Sequence, residues 1–474
     1  MKSLRLLAIG ALVFSFSTYA FAQEEPTDEE DEIEVQNTAA SYYKYRITLT
    51  DKNNSGFSIA RPQDFLSKKS IQRRQKQGLK IDSLDLPVTK TYIDGIAAKG
   101  VEILLTSKWN NTVLVGCEDT TLIQDISQLP YVKATRKVAT YGQKEMHFKD
   151  NLRYDKIKKY NEEEYDFGSQ YGNALSQIKQ LNGIALHEKS FTGKGITIAV
   201  IDAGFYNADI IPALKNTKIL GTRDFVADSE DIYSEGSHGM MVLSCMGTNQ
   251  SYMQVGTAPD AEYWLLRSED ERSEQLVEED YWASAIEFAD SVGVDVVNTS
   301  LGYTKFDNPA DNILYREQDG VTQLISFSAS QVASRGMILC CSAGNSGDEQ
   351  WKRIGCPGDA KDILTVGAVG ADGKNTNFSS LGYSADGRVK PDVVAQGGFS
   401  GVLGVDGLPT FANGTSFSSP ILCGMVASLW SAYPEKTSYE IMDIVRKSAN
   451  NYNFPDNVYG YGLPDFAKAL ELGK

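Results

Sequence analysis

Ser416 stands in Asn413-Gly414-Thr415-Ser416-Phe417-Ser418-Ser419-Pro420, a small-residue turn that runs into the apolar stretch 421–429. That stretch is apolar nearly all round, the pattern of a helix buried in a large core. Pro420 is tolerated only within about the first turn, where backbone N–H groups lack helical partners. The spacing therefore predicts Ser416 at the N-terminus of a buried helix, where the dipole favours developing negative charge. Such a place suits a nucleophile, although a plain helix cap would look the same on this stretch alone. His238, in Gly236-Ser237-His238-Gly239, opens a second apolar helix over 240–247. The other histidines, His147 and His187, lie in polar or linker settings. Asp202 ends the run 196–201 and precedes Ala203-Gly204. A carboxylate there needs a partner if buried, while a turn-initiating Asp reads the same way in isolation.

The elements that must position these groups follow a regular rhythm. Short β-branched runs recur at 196–201, 261–266, 294–297, 337–341 and 363–369, separated by helical segments such as 281–292 and 438–449. Runs apolar on both faces imply parallel strands covered by helices on both sides. In such sheets the site lies beyond the carboxyl ends of the strands. Asn298-Thr299-Ser300-Leu301-Gly302 ends one run with a small-residue edge, and Ser342-Ala343-Gly344-Asn345 ends another with an amide suited to a cleft. All five features fall at a strand end or a helix start, on one face of the sheet. The expected fold is α/β, a doubly wound, mostly parallel sheet with helices on both faces, preceded by a small α+β unit.

Taken together, the motifs resemble those of the subtilisin-type serine proteases, the subtilases. They are Val200-Ile201-Asp202-x-Gly204, Gly236-Ser237-His238-Gly239, Gly256-Thr257-Ala258-Pro259, Ser300-Leu301-Gly302, Ala343-Gly344-Asn345 and Gly414-Thr415-Ser416-x-x-x-Pro420. They come in the family's Asp, His, Asn, Ser order. The resemblance covers about 175–470 and includes Tyr459-Gly460-Tyr461-Gly462. It implies a serine endopeptidase in which Ser416 attacks, His238 moves the proton, Asp202 orients the imidazole and Asn345 helps to hold the oxyanion. It also implies a main specificity pocket with Ser300, Leu301 and Gly302 on one wall and Ser342, Ala343 and Gly344 on the other. Gly355 matches the position at the floor, which implies room for a large apolar side chain. The acidic run 268–274 lies where the family carries its second substrate-binding strand, and either favours basic residues or is a solvated loop. Departures are Ala203 for the usual Ser or Thr, Met240-Met241 for Thr-His, and Phe417-Ser418 for Met-Ala. No cofactor is expected for the chemistry. Structural calcium is a family feature, but loop 249–254 is one residue shorter than expected and does not match clearly. A catalytically inactive binding protein of this fold would be expected to lack Asp202, His238 or Ser416, and an acid protease of the sedolisin type would carry Glu in place of the histidine.

The remaining bounds concern export and maturation. Lys2 and Arg5 precede the apolar run 6–16, and Ala20-Phe21-Ala22 offers a small-residue cleavage site, which reads as a signal peptide over 1–22. No other apolar stretch reaches the about 18 residues of a membrane span. Export through the secretory pathway, to the outside or the periplasm, is expected. Net charge is −16, unevenly spread. Segment 23–40 holds eight acidic and no basic residues, the composition of a disordered segment. Segment 41–145 holds 17 Lys and Arg against 10 Asp and Glu, so the rest of the chain is strongly acidic. That balance argues against nucleic acid as a partner of the larger block and suggests that the two blocks attract each other. Residues 41–145 have the size and mixed pattern of a subtilase propeptide, with 146–168 as linker and 169–474 as catalytic domain. Self-cleavage is expected near 139–170, with the released block acting as inhibitor, so the partners are protein or peptide substrates and the chain's own propeptide. Of the six cysteines, at least one should stay a free thiol after the propeptide leaves. Cys245 and Cys423 are a candidate pair on neighbouring helices.

Overall fold

A computed structural model describes residues 41–142, 157, 168–227 and 231–474. The expected signal peptide, the acidic segment, most of the linker and His147 lie outside the described residues.

The N-terminal elements are β1 (Tyr42–Leu49), α1 (Lys68–Lys76), α2 (Lys90–Ala97), β2 (Glu102–Ser107), β3 (Thr112–Cys117), α3 (Leu122–Ser127) and β4 (Val132–Tyr141). The strands form one antiparallel sheet in the order β2-β3-β1-β4. Ile47, Leu49, Val113, Val115, Ile96 and Ile126 build a small core between this sheet and its helices.

The larger part begins with α4 (Leu175–Gln180), α5 (Ile184–His187), β5 (Thr197–Asp202), β6 (Lys218–Asp224), α6 (His238–Gly247) and the short pair β7 (Asn249–Gln250) and β8 (Gln254–Val255). It continues through β9 (Glu262–Arg267), α7 (Glu278–Val292), β10 (Val296–Thr299), α8 (Leu324–Gln331), β11 (Ile338–Ser342), β12 (Leu364–Val369) and β13 (Val393–Gln396). A hairpin of β14 (Ser400–Leu403) and β15 (Pro409–Ala412) leads into α9 (Thr415–Ala432), followed by α10 (Ser438–Ser448) and α11 (Phe466–Leu472). Seven strands make a parallel sheet in the order β13-β12-β11-β10-β5-β9-β6. Strands β5, β10, β11, β12 and β13 are buried at every residue, as their unbroken apolar runs require. The sequence did not reveal β6 or β13. The first is a half-exposed edge strand, and the second has only four residues, too few to show a period.

Helix α9 is buried from Thr415 to Trp430. Pro420 is not in its first turn, as the sequence suggested, but in its second. Its missing N–H frees the Ser416 carbonyl four residues earlier, and Ser300 Oγ donates to that carbonyl at 2.9 Å. His187 is also placed differently from expectation. It ends α5 half-buried, with Nε2 3.2 Å from the Thr257 carbonyl. All six cysteines are buried free thiols, so Cys245 and Cys423 are not bonded to each other.

The basic sheet and the larger part meet along α7. Asp290, fully buried, takes Arg73 at 2.6 Å, Arg74 at 2.9 Å and Lys108 at 3.2 Å. One turn earlier, Glu287 accepts from Ser107 Oγ at 2.5 Å and from the backbone N–H groups of Lys108 and Trp109 at 2.7 and 2.9 Å. Arg46 reaches both oxygens of Asp280 at 2.8 and 2.7 Å. Trp109, Leu114 and Val138 join Tyr281, Trp282 and Ile286 in one apolar cluster. The sequence expected long-range attraction between opposite charges. The structure shows instead a few desolvated ion pairs set in apolar contact, which salt screens far less. Burial alone would raise the Asp290 carboxyl, but Lys108, Arg74 and Arg73 hold it well below the usual carboxylate range. Its contribution is therefore present wherever an ordinary carboxylate is ionised, and is lost only as the pH falls through that depressed value. Asp290→Asn should destabilise the uncleaved chain by about 3–5 kcal/mol in urea denaturation at neutral pH.

Candidate active site

The site is assembled where the carboxyl ends of β5, β10 and β11 meet the N-termini of α6 and α9. Asp202 is the last residue of β5 and His238 the first of α6. A glycine permits the approach. A Cβ at Gly239 would lie 2.8 Å from the Asp202 Cβ and 2.4 Å from the Gly204 carbonyl oxygen, so only glycine lets α6 sit this close to β5. His238 Nδ1 meets Asp202 Oδ1 at 2.7 Å, and the Ala203 N–H donates to the same oxygen at 2.9 Å. The second oxygen, Oδ2, is buried without a hydrogen-bond partner. Ala203 offers no hydroxyl there, which is the departure seen in the sequence. The His238 ring also faces Phe417, with centroids 6.0 Å apart. Phe417 is the residue after the serine, a position where the sequence differs from the common pattern.

Ser416 lies in the first turn of α9, where its Oγ donates to the Ser300 carbonyl at 3.4 Å. The Ser300 hydroxyl returns a bond to the Ser416 carbonyl, so this strand end and this helix start are tied twice. The role of the Ser300 side chain was not foreseen. The only available signal was Pro420, which implies an unsatisfied carbonyl at 416. Asn345 Oδ1 accepts from both the Thr415 N–H and the Thr415 Oγ1, each at 2.9 Å. With that oxygen committed, the Asn345 amide N–H groups are its remaining donors.

These residues share one cleft of about 310 Å³. Ser300, Leu301 and Gly302 line one wall, Ser342, Gly344 and Asn345 another, and His238, Thr415 and Ser416 lie between them. Ala203, Glu269 and Glu271 close the remaining side. Ala343 lies behind the wall, and its carbonyl accepts from Gly355 N–H at 3.2 Å. Gly355 lies behind the walls, in ordinary contact with the 302–303 backbone. A Cβ there would meet the Gly302 carbonyl carbon at 3.5 Å and the Tyr303 nitrogen at 3.6 Å. The structure thus brings together every residue singled out from the sequence, except that Ala343 and Gly355 back the cleft and do not line it.

Burial alone would lower the His238 pKa. The adjoining Asp202 carboxylate outweighs it, with smaller help from Glu269 and Glu271, and pushes it up to about 9. An acid-held imidazole and a helix-start serine lining one cleft at the strand ends of a parallel sheet, with an amide beside them, mark the class of serine-type endopeptidases.

The chain belongs to the subtilase family, whose family model matches residues 193–462. A second match, to the peptidase S8 propeptide domain of Bacteroidota, spans residues 44–153. Among its relatives is subtilisin NAT of Bacillus subtilis subsp. natto, 28% identical over 348 residues, covering 73% of this chain and 82% of that protein. Subtilisin of Bacillus pumilus is 28% identical over 297 residues, 62% of this chain and 98% of its own length. Serine protease AprX of Bacillus subtilis is 25% identical over 326 residues, 61% of this chain and 69% of its own. The chain is thus a serine-type endopeptidase made with a propeptide, and among the described residues no helix is long and apolar enough to cross a membrane.

The active imidazole is the neutral one, so kcat/KM should fall as the pH drops through the His238 pKa. Removing a nearby negative charge lowers that pKa. Glu271→Gln should therefore move the acid limb of the kcat/KM profile to lower pH, as read with a small neutral ester substrate.

Proposed function

We propose that Asp202, His238 and Ser416 form the catalytic triad of an exported endopeptidase that matures by cutting itself from its own N-terminal block. The observation that carries this reading is the 2.7 Å Asp202–His238 contact in the same cleft as Ser416. Ser416 Oγ attacks the peptide carbonyl, and its proton passes to His238 Nε2 and then to the departing amine. Water follows the same route in reverse to free the acyl group. Asp202 holds the imidazole by Nδ1, which leaves Nε2 for the proton. The Ser416 hydroxyl must turn from the Ser300 carbonyl towards His238, a rotation about one side-chain bond that substrate binding would favour. The Ser416 N–H and the Asn345 amide stabilise the oxyanion.

The chemistry calls on no metal or cofactor. Loop 249–254 contains no carboxylate, Met253 is buried in it and the Gln254 amide donates to the Ser244 carbonyl at 2.8 Å. The Gln254 Oε1 atom is buried without a partner, but calcium takes about six to eight oxygens, and a site here would have to draw most of them from backbone carbonyls. Export rests on the signal-like segment 1–22. Segment 41–145 is read as the propeptide, segment 169–474 as the catalytic domain, and the joint between them as the site of self-cleavage. The contrary reading, a binding protein on a subtilase scaffold, is met by the intact acid–imidazole pair.

A fluorophosphonate probe should label wild-type protein at Ser416, and Ser416→Ala should go unlabelled and accumulate as uncut precursor when purified. Cleavage of that variant at the linker in the absence of other proteases would show that maturation is not its own. Asn345→Ala should lower kcat by about 10²–10³, the range established for the corresponding loss in subtilisin itself, with KM little changed.

A further inference from the structure

The side of the cleft next to His238 is formed by the loop that follows β9. Its one basic side chain and the arginine that ends β9 are both committed to acids. Asp270 holds Arg272 at 2.6 and 2.7 Å, its own N–H donates to Glu278 at 3.0 Å, and Arg267 is taken by Asp224 at 2.9 Å and Glu235 at 3.3 Å. Glu269 and Glu271 stand apart from this arrangement. Both line the cleft, and neither carboxylate has a hydrogen bond or an ion pair with any described residue. The Glu269 Oε2 atom is moreover fully buried. A buried carboxylate oxygen without a donor is costly, and burial, aided by Glu274 and Asp202, pushes the Glu269 carboxyl up to about 8. The basic groups of the loop that could meet this deficit are engaged elsewhere.

We propose that Glu269 and Glu271 form a subsite for the Lys or Arg side chain of the substrate residue immediately upstream of the one held in the main pocket. The proposal rests on the cleft being the peptidase site. The main pocket, bounded by Ser300–Gly302 and Ser342–Gly344 and backed by Gly355, presents no charged side chain, and the acids of the cleft lie beside it, next to His238. A cation arriving there supplies the donors that both carboxylates lack, and charge-assisted hydrogen bonds to a partly desolvated acid are the strong kind. An acidic residue at the same position meets like charge, which adds discrimination by repulsion. A calcium ion is a poorer occupant, because two carboxylates fall well short of its about six to eight oxygens. The substrates are therefore polypeptides carrying a basic residue just before a large apolar one.

The test uses the processed enzyme and quenched fluorescent peptides that differ only at this position, with Lys, Arg, norleucine or Glu. Norleucine keeps the aliphatic stem and removes the charge. Lys and Arg should exceed norleucine in kcat/KM by at least about tenfold, and Glu should fall below it. In the Glu269→Gln/Glu271→Gln double variant the Lys-to-norleucine ratio should drop to about twofold or less, because a neutral amide no longer attracts the cation. The ratio is internal to each preparation and does not depend on how much of the variant folds. Equal rates for Lys and norleucine in the wild type, or a ratio unchanged in the double variant, overturn the subsite. A wild type that neither cuts any peptide nor takes up the fluorophosphonate probe overturns the peptidase reading itself, and the subsite with it.

Discussion

The packing of helix α9 against the parallel sheet is the constraint on which the site depends. Its side chains from Thr415 to Trp430 are all buried, and Ile421, Leu422, Met425 and Leu429 belong to the same cluster as Ile198, Val200, Leu364 and Val393 from the strands beneath. Burial of each such side chain is worth roughly 1.5–3 kcal/mol, so the helix cannot shift without losing many of them together. Ser416 inherits that rigidity at its first turn. The weak point would be the carbonyl freed by Pro420, and the Ser300 hydroxyl covers it from the neighbouring strand end. One bond thus repairs the helix and ties the serine to a wall of the cleft.

The opposite side of the cleft is organised by close approach, not by bulk. Gly239 lets α6 meet β5, so the carboxylate and imidazole touch without strain in either element. The cost is visible at Asp202 Oδ2, a buried oxygen left without a donor. Beyond it lie Glu269 and Glu271, so a half-buried imidazole sits among several acids and gains proton affinity from them. Charge around this cleft is therefore asymmetric, neutral at the main pocket and acidic beside the histidine.

The propeptide packs on α7 and on the end of the loop before it, where the Val277 N–H donates to the Val138 carbonyl at 3.1 Å and the Thr140 N–H to the Gln275 side chain at 2.8 Å. Helix α7 separates its sheet from the strands of the larger part, and the acids Asp280, Glu287 and Asp290 meet it in buried contacts. Breaking such pairs leaves uncompensated charge, whereas forming them yields little net stability. They act as register marks, and the apolar cluster around Trp109, Tyr281 and Trp282 supplies the cohesion. A parallel sheet must form many non-local pairs before burial rewards it, and the contacts on α7 tie one of its covering helices to the propeptide.

Much of this was legible in the residues themselves. Unbroken apolar runs ending in Asp202, Ser300 and Asn345 marked parallel strands and one reactive edge, because a strand buried on both faces leaves no polar alternation. The glycine before Ser416 marked a close backbone approach, whereas the need for glycine at 239, beside His238, emerged only when β5 was placed next to it. The sequence also carried the charge division between the N-terminal block and the remainder. It could not show that this division condenses into a few buried pairs on α7, since partners such as Arg73 and Asp290 lie 217 residues apart. Nor could it show that Pro420 falls in the second turn of α9, that Ser300 answers for it, or that Glu269 and Glu271 face the cleft while Asp270 between them is paired. Local propensity and periodicity act between near neighbours along the chain. Which polar atoms are satisfied is decided only when distant segments are brought into contact.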